Sequence, residues 1–210
     1  MDDTALRVRL VNSLADVDPA SWNALANPPS LTFDPFISWE FLEAMESSGA
    51  ATRQTGWSPH HVLIEGAGDR LLAAMPMYLK SHSQGEFVFD HAWADAYERA
   101  GGDYYPKLLV AVPFTPVTGR RRLVGAGADG LQLEQALINA AIQICDQNKL
   151  SSLHVNFATA QEAADLGQQG LLLRTDQQFH WVNDGYDSFD DFLAALSSQK
   201  RKNLRKERAK

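Results

Sequence analysis

The sequence predicts an α/β protein with a mixed sheet and helices on both faces. Short runs of alternating or fully apolar residues, typical of strands, take turns with longer stretches in which apolar residues recur at helical spacing. No internal repeat or low-complexity segment interrupts this alternation over the 210 residues. Strands that alternate with helices are typical of a sheet that helices cover on both sides.

The N-terminal part predicts a strand followed by two helices. Apolar and polar residues alternate over residues 7–14, which indicates a strand. Asp18 is placed to cap a helix over residues 19–25. A second helix is predicted over residues 36–45, where apolar residues recur at helical spacing, and the Ser-Ser-Gly that follows ends it.

The next segment predicts a hairpin. Residues 61–65 and 70–81 are two apolar runs, and the tight-turn signal Gly66-Ala67-Gly68-Asp69 separates them. Pro76 lies in the middle of the second run. Because proline lacks the N–H that a central strand donates, we expect a bulge or an edge position there.

The central strand is predicted over residues 107–114. Its middle, from Leu108 to Val112, is apolar on both faces, as expected for a strand covered on both sides. A helix then extends from Asp129, as its cap, to about Asn148, and its apolar residues form one stripe.

The C-terminal part predicts a strand, a short helix, a strand and a last helix. The first of these strands covers residues 152–157, and Thr159 and Glu162 form a capping box that opens the short helix. Residues 171–182 are predicted as a long final strand. Ser188 caps the last helix, which is apolar at first and then becomes basic.

Composition limits the classes of function. With 45% hydrophobic residues the chain can bury a full core. No stretch approaches the ~18 apolar residues of a membrane span, and the acidic N-terminus lacks the pattern of a secretory signal, so a cytoplasmic protein is predicted. Cys145 is the only cysteine, which excludes an internal disulfide and a cysteine-based metal cage. The six histidines show no i, i+4 helical pair, and no metal site is predicted.

Charge is distributed unevenly along the chain. Residues 200–210 carry a net charge of +6, whereas the remaining residues carry −13. The acidic body does not suit binding along a phosphate backbone. The basic end could contact phosphate or stay solvated, and both interpretations remain open.

The run from His91 to Gly127 is the predicted functional part. It crowds aromatic, acidic and guanidinium side chains in front of the central strand, which breaks at Pro113 and Pro116 into a loop rich in glycine and arginine. Backbone N–H groups at such a junction ahead of a helix point outward and bind anions.

Five segments carry a resemblance to known proteins. They are GWSPHHVLIE, AAMPMYLKSHSQGEFVFDHAWADAYERAGGDYYPKLLVAVPFTPVTG, LSSLHVNF, LLLRTDQQFHW and FDDFLAALSSQKRKNLRKE. Together they resemble the bacterial family of predicted N-acyltransferases of peptidoglycan biosynthesis or recognition, which is related to the Fem-type aminoacyl transferases. The order of elements is similar to the GNAT acyltransferase fold. The resemblance covers nearly the whole chain.

The resemblance implies a domain organisation. Members of that family continue into a second acyltransferase-like half. We therefore expect residues 1–186 to form a GNAT-like acyltransferase domain and residues 187–210 to form a basic linker helix that leads to an absent second half.

The resemblance also implies an activity, the transfer of an acyl group from acyl-CoA to an amine, with a cell-wall precursor or peptide as the acceptor. Two alternatives stay open: a Fem-like transferase that uses aminoacyl-tRNA, and a non-catalytic recognition domain on the same scaffold. The implied partners are acyl-CoA and an amine, with tRNA only under the first alternative. Nothing in the sequence indicates an oligomeric state.

The resemblance places the coenzyme A site after the central strand. GNAT enzymes bind the pyrophosphate with an Arg/Gln-x-x-Gly-x-Gly/Ala loop before a helix, and Arg122 to Gly127 matches that pattern but starts ten residues after Val112. The competing loop, Thr115 to Arg120, follows the strand directly and is preferred, although both glycine loops could simply turn the chain. The candidate cofactor-binding residues are Val112, Thr115, Val117, Thr118, Gly119, Arg120, Arg122, Gly125 and Gly127.

Two of these residues have specific expected roles. The Val112 N–H would meet the thioester oxygen, because Pro113 opens the strand ladder there. Arg120 would contact the pyrophosphate, so its removal should weaken coenzyme A binding more than it lowers stability.

Candidates for proton transfer lie between His91 and the central strand. Asp95 and Glu98 are candidate bases, and Tyr97, Tyr104 and Tyr105 are candidate acids toward the leaving thiolate. GNAT members often have a tyrosine near the helix after the fifth strand. The short helix that Thr159 opens contains none, so no single residue is assigned as the acid.

Overall fold

A computed structural model describes residues 6–125 and 129–209, which fall into two compact units, 1–171 and 172–210. The described strands are β1 Arg7–Val11, β2 Trp57–Pro59, β3 His61–Glu65, β4 Leu71–Met75, β5 Met77–Lys80, β6 Lys107–Val110, β7 Leu123–Val124 and β8 Leu153–Val155. The described α-helices are α1 Pro19–Ala26, α2 Trp39–Ser47, α3 His91–Arg99, α4 Gly130–Gln147, α5 Ala160–Gln168, α6 Phe189–Ala195 and α7 Ser198–Arg208.

The eight strands form two four-stranded sheets in the first unit. Their orders are β1-β3-β4-β7 and β2-β5-β6-β8. Neighbouring strands are antiparallel except for β6 and β8, which run parallel. This mixed arrangement confirms the predicted fold class.

One hairpin contributes to both sheets. His60 separates β2 from β3, and Pro76 separates β4 from β5, so each arm of the hairpin passes from one sheet to the other. The single strand predicted over residues 70–81 is therefore wrong. Pro76 has no N–H to donate, and the chain bends there instead of forming a bulge within one strand.

The strand β7 resumes the line of β6 after an excursion. Met77 pairs with Val110, so a straight continuation of β6 would place Pro113 opposite Ala74. Leu123, ten residues later, stands opposite Ala74 instead. Residues 113–122 therefore leave the sheet between two parts of one strand line, and we call them the strap. The predicted strand over 107–114 ends early, at Val110, because the strap begins at a proline.

Helices cover both faces of this bent sheet. The first core cluster joins α4 to one face, through Leu137, Ile138 and Ala141 against Val62, Ile64, Met75, Leu108 and Val110. The second joins α1 and α2 to the other face, through Trp22, Leu25 and Leu42 against Leu63, Ala74, Val112 and Leu123. Each fully buried aliphatic side chain of this size contributes about 1.5–3 kcal/mol.

Most predicted helix starts are confirmed. The Asp18 carboxylate accepts from the N–H of Ser21, and Thr159 with Glu162 forms the full capping box of α5. Ser188 caps α6 by accepting from Asp191. Asp129 precedes α4 as expected, but its side chain makes no capping hydrogen bond.

Three helix predictions need correction. The last helix, predicted to continue from Ser188 into the basic end, is two helices, α6 and α7, which Leu196 and Ser197 separate. The second helix begins at Trp39 behind the cap Ser38, and Phe36 lies in a separate 3-10 turn. The helix α3 was not predicted: only Ala94 of its nine residues is buried, so it lacks a stripe of large apolar residues that faces a core.

The second unit contains α6, α7 and the segment before them. The strand predicted over residues 171–182 is wrong: these residues are irregular, and Leu172 is 98% exposed. An apolar run forms a strand only where a neighbouring strand takes its N–H and C=O groups, and none of the described strands pairs with it. Within the described ranges, no helix is long and apolar enough to cross a membrane.

Candidate functional site

The strands β6 and β8 pair over the whole of β8 and part after Val110 and Asn156. They run side by side from Leu108 to Val110, and the N–H of Asn156 donates to the Val110 carbonyl over 2.9 Å. Beyond this point the strap, not a strand, meets the edge of β8. The N–H of Gly119 donates to the carbonyl of Phe157 over 3.0 Å, and Arg121 Nε donates to the carbonyl of Asn156 over 2.9 Å.

Two polar groups at this parting of the strands lack partners. Val112 is buried, and its N–H makes no hydrogen bond to any described residue. Asn156 is 7% exposed, and its Nδ2 is buried without a hydrogen-bond partner among the described residues. Buried donors are normally paired, so these two could bind a carbonyl or phosphate oxygen of a ligand. Asn156 was not a predicted site residue. The only feature of the sequence that could have indicated it is its position as a polar residue at the end of a strand.

The first predicted loop, from Arg122 to Gly127, lies between β7 and α4. Gly125 is the last described residue before the helix, and Gly127 lies outside the described residues. The α4 helix begins without a side-chain cap from Asp129, so its first-turn N–H groups have no capping partner among the described residues, and the helix dipole attracts anions there.

The second predicted loop, Thr115 to Arg120, is the middle of the strap. Its N–H groups at Thr115, Val117 and Thr118 make no hydrogen bond within the described ranges. The N–H of Gly119 donates to the Phe157 carbonyl. The second loop thus contains free backbone donors within the described ranges, and the preference for it stays a prediction.

The three arginines at the end of the strap have different partners. Arg120 donates from Nη2 to the carbonyls of Leu25 and Ala26 at the end of α1. The Arg121 guanidinium is buried and bonds to three carbonyls, those of Val117 (2.6 Å), Asn156 (2.9 Å) and Arg120 (3.2 Å). Burial lowers the pKa of both guanidinium groups from the usual value.

Arg122, in contrast, is surrounded by carboxylates. Its Nη2 lies 3.0 Å from Glu134 and 3.6 Å from Asp165, and its Nε lies 3.7 Å from Glu162. Glu162 also accepts from the backbone N–H groups of Arg121 and Arg122. Arg122 thus lies among carboxylates of α4 and α5, but its Nε, Nη1 and Nη2 are all buried without a hydrogen-bond partner among the described residues.

A buried ionic cluster lies beside the first residue of β6. Lys107 Nζ donates to Asp90 (2.7 Å), Ser83 (2.9 Å) and Glu86 (3.0 Å). Lys80, its paired neighbour on β5, lies 3.6 Å above the Trp57 ring and has one long hydrogen bond, to the Gln84 carbonyl. We call Lys80, Glu86, Asp90, Tyr104 and Lys107 the ionic cluster.

Burial and charge shift the pKa values in the ionic cluster. Burial lowers the pKa of Lys80 to about 7 and raises that of Glu86. Burial also opposes ionisation of Asp90, but hydrogen bonds, chiefly from Lys107, outweigh it and lower the pKa to about 2. Burial and the bond to Asp90 raise the pKa of Tyr104. None of these charged residues was predicted as functional, because residues far apart in sequence form the cluster.

The candidate acid and base residues are distributed over two places. Tyr104 donates to Asp90 over 2.8 Å, and the Tyr105 hydroxyl lies 2.8 Å from Ser83 Oγ, so both tyrosines belong to the ionic-cluster region. Asp95, Glu98 and Tyr97 lie on α3 and are exposed. The structure thus groups Tyr104 with Tyr105 and leaves the three α3 residues apart from them, except that the Tyr97 ring packs edge-on against Tyr104.

An aromatic contact joins the strap to the ionic cluster. The Phe114 ring lies 5.3 Å from the ring of Trp57, which in turn carries Lys80. A side chain at Gly85 would collide with Phe114, so the glycine makes this close approach possible. Phe114 itself has a φ of 54°, which is uncommon for a bulky residue and is found mainly where a fold constrains it.

The buried donors at Val112 and Asn156 lie at the parting of β6 and β8, where Gly119 and Arg121 of the strap also meet β8. Among residues 6–125 and 129–209, no group of histidine, cysteine, aspartate and glutamate is arranged to hold a metal ion.

Comparison with known proteins gives one family match. Residues 13–210 match the model of the FemAB-like family, which is described as peptidoglycan biosynthesis/recognition. No curated protein matches the sequence significantly.

Solved structures with a similar fold are acetyltransferases. A GCN5-related N-acetyltransferase from Ralstonia eutropha JMP134 is 11% identical with a TM-score of 0.52, over 84% of this chain and 99% of that one. A putative acetyl transferase from Pyrococcus furiosus is 13% identical with a TM-score of 0.51, over 85% of this chain and 100% of that one. At these identities the likeness shows a common fold, and the predicted GNAT-like architecture is confirmed.

Proposed function

The chain belongs to the FemAB-like family of peptidoglycan biosynthesis/recognition, and from that membership and its acetyltransferase fold we propose that it is an N-acyltransferase. The proposed donor is acyl-CoA. The proposed acceptor is an amine of a peptide or cell-wall precursor.

One observation carries the proposal for the donor site. Because β7 resumes the line of β6, Gly125 follows the interrupted central strand directly, in the connection to α4. The ten residues between Val112 and Leu123 are the strap. Phosphate groups bind well at the N-terminus of a helix that follows such a glycine-containing turn. This position supports the first of the two predicted loops more than the sequence alone does.

The chemistry requires few groups from the protein. The acceptor nitrogen attacks the thioester carbonyl, the C–N bond forms, the C–S bond breaks, and the proton of the amine ends on the departing thiolate. We propose that the N–H of Val112 stabilises the oxyanion, and its burial and its lack of a partner in the described ranges support this role.

The proton route uses a hydroxyl or carboxylate near the acceptor. Of the predicted acids, Tyr105 suits this role better than Tyr104, because burial and Asp90 make Tyr104 a weaker acid. Asp95 and Glu98 on α3 remain the proposed bases, acting directly or through water.

Titration with acetyl-CoA tests the donor site. We expect binding, and we expect Asn156→Ala to weaken it by about tenfold, the usual cost of one hydrogen bond of ~1.4 kcal/mol. The matched control is Asn148→Ala, which removes an exposed amide at the end of α4 and should leave affinity unchanged. Equal effects of the two substitutions would contradict the assignment of Asn156.

A second candidate function rests on the basic helix α7. It carries six Lys and Arg residues and one Glu, and most of them are exposed. Such a surface suits the phosphate backbone of an aminoacyl-tRNA donor. If tRNA is the donor, filter binding of charged tRNA should fall steeply between two salt concentrations. Absence of binding to both acetyl-CoA and tRNA would favour a recognition domain without catalysis.

A further inference from the structure

The second unit contains a cavity with aromatic walls. Its volume is about 240 Å³, and it is lined by Trp181, Tyr186, Asp187, Ser188, Phe189 and Phe192. The half-buried Phe192 joins the rings, because its ring centroid lies 5.5 Å from that of Tyr186, 5.8 Å from that of Trp181 and 6.0 Å from that of Phe189. We call these four rings the aromatic box. The cavity is smaller than the roughly 300–1,000 Å³ pockets of drug-sized ligands, so it suits a small head group.

Two short local elements build the aromatic box. The first is a turn in which the N–H of Tyr186 donates to Asn183 Oδ1 over 2.8 Å and Asn183 Nδ2 donates back to the Tyr186 carbonyl over 3.0 Å. The second is α6, where Phe189 and Phe192 are three residues apart and therefore share one face. Trp181 meets Phe192 edge-on, at 88°, and is 65% exposed, so much of the Trp181 ring stays uncovered.

The surroundings of the aromatic box are acidic. Residues 181–195 contain four aspartates and no lysine or arginine. Asp187 lines the cavity itself, and Asp190 and Asp191 lie in the first turn of α6. These carboxylates outweigh the roughly +0.5 charge that the helix dipole places at the start of a helix. The cavity therefore attracts cations and repels anions.

One cation of the second unit already lies on the aromatic box. Arg208 Cζ is 4.2 Å from the centroid of the Phe189 ring, and Arg205 Nη2 is 3.8 Å from Asp190. The negative face of an aromatic ring attracts a cation, and it does so more strongly where water is excluded. The rings and acids around the cavity can therefore bind the cationic group of a ligand as well.

The walls favour one class of cation. A primary ammonium group carries three N–H donors, and a cavity whose walls are mostly aromatic offers few acceptors for them. The hydroxyl of Ser188 is already used, since it accepts from the N–H of Asp191 and donates to the carboxylate of Asp191. A fully alkylated ammonium group has no N–H, so ring faces and one carboxylate are sufficient to bind it.

We propose that the aromatic box binds a small quaternary ammonium compound of the choline type, with Asp187 as the counter-ion. The inference goes beyond the proposed acyl transfer and does not depend on it. A head group that also carries phosphate, such as phosphocholine, should bind more weakly than choline, because the four aspartates repel the phosphate.

Calorimetric titration of the unmodified protein tests the proposal. Choline should bind at millimolar concentrations, and dimethylbutanol, the neutral analogue in which carbon replaces the nitrogen, should bind about fivefold more weakly. Equal affinities would show an apolar cavity without preference for a cation and would overturn the proposal. It also falls if choline does not bind, or if N-acetylglucosamine binds in its place, since the rings would then be stacking on a sugar.

Substitutions locate the site. Trp181→Ala should weaken choline binding by about fivefold, whereas the control Trp93→Ala, which removes an equally exposed tryptophan from α3, should leave it unchanged. Trp181→Phe keeps a ring and should cause a smaller loss, and it serves as the test if the alanine variant does not fold. If affinity is unchanged in both Trp181 variants, or falls equally in Trp93→Ala, the aromatic box is not the site.

A matched pair of charge variants tests the counter-ion. Asp187→Asn should weaken choline binding more than Asp184→Asn, because both remove one negative charge but only Asp187 lines the cavity. The difference between the two variants should decrease at high salt, which screens exposed charges. Equal losses would contradict the assignment of Asp187.

Discussion

At the scale of single residues, Lys80 is the most unusual group in the chain. It is fully buried, it lies over the Trp57 ring, and its single hydrogen bond is long. Glu86 and Asp90 accept hydrogen bonds from its paired neighbour Lys107 instead. The protein thus buries two lysine amino groups side by side, and of the two only that of Lys107 is directly paired with acids.

The pKa of Lys80 predicts how stability changes with pH. It is about 7 in the folded protein and 10.5 in the unfolded chain, so between these values the unfolded state binds the proton and the folded state does not. Stability should therefore rise as pH increases from 7 to 9. In thermal unfolding, the melting temperature of Lys80→Met should rise less over this range than that of the unmodified protein. Parallel profiles for the two proteins would contradict the lowered pKa of Lys80.

Only part of the candidate site was visible in the sequence at this scale. The free N–H of Val112 followed from the proline after it, because proline interrupts a ladder whatever the surroundings. The position of Arg121 did not follow, since three adjacent arginines look alike until their partners are known. The ionic cluster was missed for the same reason: Lys80 and Lys107 are neighbours only through strand pairing.

At the scale of elements, the start of α5 determines where the strap ends. Glu162 completes the capping box with Thr159 and also accepts from the N–H groups of Arg121 and Arg122. The Glu162 carboxylate thus caps the start of α5 and also binds the backbone at the end of the strap. The sequence showed the capping box, because its residues are three apart, but not the second set of bonds.

Two substitutions separate these roles. Thr159→Ala should remove only the cap and cost about 1 kcal/mol of unfolding free energy. Glu162→Ala should cost about 3–5 kcal/mol, because it also removes a buried carboxylate beside Arg122. Urea unfolding measures both values. Similar costs for the two variants would show that the bonds from Glu162 to the strap contribute little.

Elements were predictable where their pattern is local. The caps of α1, α5 and α6 lie within three residues of the groups they bind, and all three were found. The strand β7 has only two residues, and its pairing with β4 is a long-range contact without a local pattern. The final strand was expected from apolar residues alone, and such residues form a strand only when another strand is beside them.

At the scale of the whole molecule, the family match and the acetyltransferase fold agree with what the sequence predicted. The family model extends over residues 13–210, and similar solved structures are covered almost completely. The fold was predictable because local sequence patterns indicate most strands and helices, and their order along the chain is characteristic of the fold. The strap was not predictable, because the return of the chain to the strand line after ten residues can be recognised only from strand register.

The bent hairpin formed by residues 57–80 has a consequence for how the first unit folds. Its arms belong to both sheets and contact both of the large core clusters. Local contacts of this kind form early, because only a short loop has to close to make them.

Ile64→Val, in the hairpin, should therefore slow folding, whereas Ile138→Val, in α4, should mainly speed unfolding. Stopped-flow folding and unfolding rates for the two variants check this. If the measured rates match this expectation, the two sheets form in a single kinetic step, because the same hairpin contributes strands to both.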